Sequence, residues 1–436
     1  MEVMCRILAT TLFEGDIIHM KRTPGQPHSL KHLPFFEVLA SAPEGSADSK
    51  LATAGLLTLR MIDHWVLAGP AIVEPESVSV RSVRQAIMAL PAREAVREAL
   101  LTTVNTMQML RHVDLVPVLP RVFAYAQLLE RHHGALVLAA DAYETVIRLT
   151  DVEADADLMM DSYMRLAFCQ RKLGRLDAAV ESGSLLVKLA TRRKDRARAL
   201  RGKIGLAHVA MVRGDLSGAD SQFVAVAVEA QKHQLTREFA MATHDRAVVA
   251  SRSGNTTAAV VLAHQALKQT DDPVDRDRVL GDLAAFLVKL EQFDAALDAL
   301  RIIELTAVSE EPRTTAKAVM LAAAARSGRR EVFDHARQSL SGVTLHVELH
   351  VNVLIETARG LFFFGEETQA AQLLNEAQIL AQTAGLAGAT AEIQAMRAGT
   401  TIAVGVPNPR ETTDPTVDVA LDLRERAVAA ALAVAR

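Results

Sequence analysis

The sequence predicts an all-α protein: a solenoid of about seven stacked helical hairpins with atypical helical caps at both ends. Three observations carry this. The first is composition. Of 436 residues 50% are hydrophobic but only 4% aromatic, with one Trp and three Tyr, and about one residue in six is Ala. A core of Ala and Leu suits closely packed helices better than a pleated sheet. The second is a recurring motif of Gly, four residues, then Ala: Gly134 with Ala139, Gly174 with Ala179, Gly214 with Ala219, Gly254 with Ala259 and Gly365 with Ala370. Two further copies deviate. Glu291 replaces the Gly before Ala296, and Phe333 replaces the Ala after Gly328. The third is spacing: the anchors 134, 174, 214, 254, 291, 328 and 365 are separated by three steps of 40 and three of 37. One helix pair cannot bury its own apolar face, so a regular series of pairs must stack.

Taken in chain order, residues 1–48 contain Pro24, Pro27, Pro34 and Pro43 and read as an irregular extension with a short helix at Phe35–Ala40. Residues 49–68 read as a helix carrying Leu51, Leu56, Leu59, Ile62 and Val66 and ending at Gly69-Pro70. Helices over 76–90 and 92–111 follow, the second after Pro91. These lack the motif, so residues 49–115 are expected to cap the array. The array itself spans 116–400. In each unit the anchor Gly closes a first helix in the left-handed conformation. The Ala five residues later opens the second helix. A small residue also falls seven before the anchor, at Ala167, Ala207, Ala247, Ala284 and Ala358, with Gln127 and Leu321 as exceptions. Small side chains at both points let two helices approach closely. Residues 401–416, with Pro407, Pro409 and Pro415, read as a linker. Residues 417–436 read as an amphipathic helix with a stripe of Val417, Leu421, Val428 and Leu432. It caps the last repeat, occupies a groove, its own or a neighbour's, or forms a mobile tail; occupying a neighbour's groove would support self-association.

In the second copy, Tyr163, Leu166, Ala167, Leu173-Gly174, Leu176 and Ala178-Ala179 make the pattern resemble the tetratricopeptide repeat of bacterial regulatory arrays. That family's consensus period is 34 residues, so periods of 37 and 40 imply longer helices or loops. The closing Pro of each repeat is missing here. The resemblance implies a right-handed solenoid whose first helices line a concave groove, with exposed positions 13, 10, 6, 3 and 2 residues before each anchor. Those 35 positions hold ten Arg or Lys and one acid, Asp161. The candidate partner-binding residues are Arg121, Arg131, Phe168, Arg171, Lys172, Arg201, His208, Arg252, Lys289, Arg326, Arg359, Phe362 and Phe363. His132 falls on a groove position too. A basic groove with apolar contacts suits a protein or peptide bearing carboxylates. None of Ala124, Met164, Ile204, His244, Gly281, Ala318 and Ile355, ten before the anchors, is Lys. A Lys clamp on a C-terminal carboxylate is therefore not expected.

The 48 basic and 52 acidic residues nearly balance, with no overall pull toward nucleic acid or membrane. No apolar run is long enough to span a bilayer, and Met1–Thr11 does not read as a signal peptide. Cys5 and Cys169 are far apart, which argues against a disulfide scaffold and for a cytoplasmic location, with Cys169 in the core. No phosphate loop, GxSxG, HExxH or paired Cys is present, so no enzyme activity and no cofactor are expected. His346 and His350 flank Glu348 at helical spacing but lack a third metal ligand, and His132-His133 falls at a turn. A local basic excess runs through Arg192, Arg193, Lys194, Arg196, Arg198, Arg201 and Lys203, against Asp195 alone. It reads as a solvated surface or a contact for an anionic partner. The function these features favour is a protein-interaction scaffold or adaptor. The alternative is a ligand- or peptide-responsive sensor with the C-terminal helix as its switch. Nucleic-acid binding through residues 192–203 ranks behind both.

Overall fold

The computed structural model describes residues 31–132, 134–343, 345, 347–383, 386–398 and 415–434. Cys5, His133, His346 and most of the Pro-containing linker lie outside them, as do the side chains of His132 and Glu348. The described residues form twenty α-helices and one short 3-10 turn, with no strand among them. None of these helices is long and apolar enough to cross a membrane. The chain divides into two compact units, Met1–Thr150 and Asp151–Arg436.

The first unit contains α1 (Leu33–Ser41), α2 (Ala47–Ala68), α3 (Val78–Met88), α4 (Ala95–Met109), α5 (Leu119–His132) and α6 (Leu136–Leu149). Ser46 caps α2 by accepting from the Ser49 amide, and Gly69 ends it at φ 85°. The core is built on the chain's scarce aromatics: Phe35, Trp65, Tyr125 and Tyr143 are all buried. A charged cluster ties the segment before α1 to α2 and α6. His32 Nδ1 lies 2.6 Å from Asp141 Oδ2 and its Nε2 lies 3.4 Å from Asp63. Arg148 holds the other oxygen of Asp63 at 2.7 Å. Burial alone would lower the His32 pKa. The hydrogen bonds and charges of Asp141 and Asp63 outweigh it and raise the pKa.

The second unit opens with α7 (Ala156–Lys172), α8 (Leu176–Arg192), α9 (Arg196–Val212), α10 (Leu216–Lys232) and α11 (Thr236–Arg252), each of 17 residues. Three-residue connectors join them, and the middle residue of each, Gly174, Lys194, Gly214 or Gln234, has positive φ. The long period therefore comes from long helices, not long loops. The next helices are α12 (Thr256–Leu267), α13 (Pro273–Lys289), α14 (Phe293–Thr306), α15 (Glu310–Ser327), α16 (Arg330–Leu340), α17 (Val347–Phe363), α18 (Glu367–Thr383) and α19 (Ala387–Arg397). The step falls to 37 as the second helices shorten to 12 residues in α12, 14 in α14 and 11 in α16. All seven anchors have positive φ, including Glu291 at 59°. Ala139, Ala179, Ala219, Ala259, Ala296 and Ala370 are buried at the close approaches. At the deviating copy, Phe333 is buried against Gly360 of α17, where a Cβ would collide with its ring. The bulk on one helix is matched by a glycine on its neighbour.

The last helix, α20 (Thr416–Val434), packs on α14 and α12. It buries Thr416, Val419, Leu423 and Ala427. This differs from the stripe read in the sequence: Leu421, Val428 and Leu432 are exposed. The helix carries Ala or larger apolar groups on several faces, so apolar spacing does not choose its buried side. Polar pairing with its seat does: His264 Nε2 lies 2.9 Å from Asp422, and the Gln292 amide donates to Thr416 Oγ1.

Candidate functional site: the first-helix face of the array

In the second unit the first helices α7, α9, α11, α13 and α15 approach one another in series, whereas consecutive second helices pack far less on one another. The first helices thus form the closer-packed side, and polar pairs cross it from one repeat to the next. Arg198 of α9 reaches back to Asp161 of α7 at 2.8 Å. Arg201 and His208 reach forward to Glu238 and Asp245 of α11, at 2.7 and 3.0 Å. Arg237 and His244 of α11 meet Asp275 and Asp282 of α13, at 2.9 and 2.8 Å. Further along, Arg326 meets Glu356 at 2.6 Å and Arg359 meets Glu392 at 2.6 Å. Burial favours the neutral form of Asp245. The charge and hydrogen bond of His208, with His244 and Arg278, outweigh it and hold the carboxyl below its usual range.

The candidate residues thus fall into groups. Arg201, His208, Arg326 and Arg359 are paired with acids across repeats, and Lys289 donates to Ser251 at 3.0 Å. Phe363 packs over the anchor Gly328 and meets Phe364 edge to face, while Phe362 packs partly buried on the core. Arg252 is exposed. Arg121 and Arg131 are exposed on α5 in the first unit. The remaining three come together. Phe168 is half-buried, with the Arg165 and Arg171 guanidiniums each 5.4 Å and the Lys172 ammonium 6.0 Å from its ring centroid. Burial lowers the Arg171 pKa, and the charge of Asp245 opposes that effect. Arg171 and Lys172 make no ion pair among the described residues. This site can offer a cation–π platform and two guanidinium or ammonium donors to an anionic group.

Of the acids of the ladder, only Asp161 stood out in the sequence. Asp245, Asp282 and Glu356 each lie nine residues before an anchor, and Glu238 and Asp275 sixteen before. That periodicity was the available signal. Part of the basic cluster is engaged too: Arg193 pairs with Glu153 and Lys203 with Glu229, besides Arg198 and Arg201, while Arg192, Lys194 and Arg196 are exposed. Among the described residues no group of three or more His, Cys, Asp or Glu could hold a metal ion. Cys169 is fully buried.

Hairpins of two helices, left-handed anchors and small residues at paired close approaches define a tetratricopeptide-like helical-repeat protein of the all-α solenoid class. No protein-family model and no curated protein matches the chain. Among solved structures it is similar to a Rap protein complexed with competence and sporulation factor (TM-score 0.48, 12% identity, 78% of this chain and 99% of that one). It is also similar to the Rap conjugation gene regulator of the plasmid pLS20 in complex with the Phr* peptide (TM-score 0.46, 13% identity, 81% and 98%). The apo form of RapI gives a TM-score of 0.45 at 13% identity, covering 61% of this chain and 99% of that one.

Proposed function

We propose that this chain is a non-enzymatic scaffold that binds a partner protein or peptide along the first-helix face of its repeats. The observation that carries the reading is the Phe168 site. Its half-buried ring offers apolar area, and Arg171 and Lys172 lie over it without an ion pair among the described residues, open to an incoming carboxylate. Elsewhere on this face Arg201, His208, Arg326 and Arg359 are matched by acids and Lys289 is held by Ser251, with Arg252 exposed, so the cations gathered on one ring lie at this end of the face. Affinity capture followed by crosslinking tests the reading. Crosslinks should fall on first helices; crosslinks confined to α8, α10, α12 and α14 would sink it. Exchanging Arg171 and Lys172 together for Glu should cost about 1.5–3 kcal/mol of binding, and unchanged affinity would refute the role of this site.

A second reading, a sensor with α20 as its switch, draws support from how that helix is seated. Its buried apolar strip is short, and its polar ties include His264 with Asp422 and Gln292 with Thr416. Release of such a helix would uncover the backs of α12 and α14 without dismantling a hairpin.

A further inference from the structure

The helix α20 has two apolar faces, and its seat uses only one. Val419, Leu423 and Ala427 are buried in the core of the later repeats. Leu421, Val428 and Leu432 are each more than half exposed, at 58, 56 and 58%, and Val417 is half-buried. At about 100° per residue, these last four fall within roughly 60° of one another, on the side of the helix away from its seat. A surface helix ordinarily turns polar residues outward. Single exposed apolar residues need no explanation, but a continuous strip along most of a helix marks an interaction surface.

The charges beside the strip select what covers it. Arg424 flanks it on the side of α14, where a crevice of about 450 Å³ runs between the two helices. Arg301 of α14 lines the same crevice, and neither arginine makes an ion pair among the described residues. Asp294 on this side is held by Arg329 at 2.7 Å. Asp298 also lines the crevice and offsets one of the two free arginines. Burial raises its carboxyl pKa, and the charges of Arg424 and Arg301 oppose that effect. This edge therefore stays positive. The opposite edge of the strip holds Asp418 and Glu425, both exposed and without an ion pair among the described residues.

The outer face of α20 thus runs from a basic edge, over an apolar centre, to an acidic edge. A partner of one sign would match one edge and be repelled by the other. A second copy of the strip matches both edges when the two-fold axis runs along the helix. That axis sets the two α20 helices parallel and brings the basic edge of each onto the acidic edge of the other. An axis across the helix would set them antiparallel and oppose like edges.

We propose that the outer strip of α20 is a self-association surface, on which two copies of this chain pair with their α20 helices parallel. The proposal is independent of the first-helix reading, because α20 sits on second helices. Three large side chains and a charged rim make a small interface, so the dimer should be weak, with a dissociation constant in the micromolar range.

Sedimentation velocity of the full chain from about 1 to about 200 μM tests this. The sedimentation coefficient should rise from monomer toward dimer with concentration. Leu421→Ser with Leu432→Ser should keep the chain monomeric throughout, with the thermal transition of the dilute protein preserved because both residues lie off the seat. Arg424→Glu and Glu425→Arg should each weaken the dimer by about tenfold, since each sets like charges on facing edges. An equimolar mixture of these two variants should dimerise within about threefold of the unaltered chain, because opposite charges again face each other on both edges. Three results would each overturn the proposal: a chain that stays monomeric to the highest concentration, a dimer that tolerates the paired serine changes, or a mixture that associates no better than either variant alone. The first-helix crosslinking result bears on none of them.

Discussion

Glu291 is the one anchor that is not glycine, and it holds φ at 59°. A side chain in that region costs about 1–2 kcal/mol relative to its ordinary conformations. Glycine avoids this, though it loses more freedom on folding. Glu291→Gly is therefore expected to stabilise the second unit by about 0.5–1 kcal/mol, read as a higher denaturation midpoint at unchanged slope. A second residue-scale expectation concerns His32, buried between Asp63 and Asp141 with its pKa raised. A histidine whose folded pKa exceeds its unfolded value of 6.5 contributes stability that is complete below that value and is lost as pH rises through the folded pKa. Burial opposes ionisation of Asp63, but hydrogen bonds from His32 and Arg148 hold its carboxyl well below the usual range. That part is present above pH 3.8 and disappears as the solution is acidified further. Melting curves of the chain and of His32→Gln from about pH 6 to about pH 9 should converge as pH rises. A gap that stays constant would show that the raised pKa is not what ties this segment down.

Within an element pair the decisive contact is small against small. Ala179 opens α8 at 1% exposure, so Ala179→Leu has no void to enter and should cost about 1–3 kcal/mol. An unchanged denaturation midpoint would mean the α7–α8 interface is not where the register puts it. This contact was legible in the sequence because its physics leaves few residue choices: a left-handed turn selects glycine, and a close helix approach selects alanine. Other features leave no such mark. Lys194 and Gln234 turn the chain in the same left-handed way without glycine, so the 20-residue half-period between α7 and α11 stayed hidden behind the 40-residue one. Phe333 looked like a failed repeat because its complement, Gly360, lies on another helix pair. At the candidate site, the bases were readable and their partners were not. Asp245 and Glu238 meet His208 and Arg201 only after α9 and α11 are placed side by side.

At the scale of the whole molecule, α20 poses the remaining question, because a helix seated on α12 and α14 can serve as structure or as a switch. Its contribution as structure follows from what it covers. Val419, Leu423 and Ala427 join the large core that runs through the later repeats, and His264 is only 7% exposed beneath Asp422. Removing residues 416–436 should therefore lower the stability of the second unit, since burying each large apolar side chain is worth about 1.5–3 kcal/mol. The two roles part company at the partner. The first-helix face carries the Phe168 site, whereas α20 sits on second helices. A purely structural helix should leave partner affinity unchanged once binding is measured well below the melting temperature. A switch must bind one of two states better, and affinity then moves by the free-energy difference between them. The milder Asp422→Asn change, which weakens the tie to His264 without emptying the seat, should then shift affinity in the same direction as the deletion. Matching shifts would assign α20 to regulation. Lower thermal stability with constant affinity for both variants would make it a fixed part of the array.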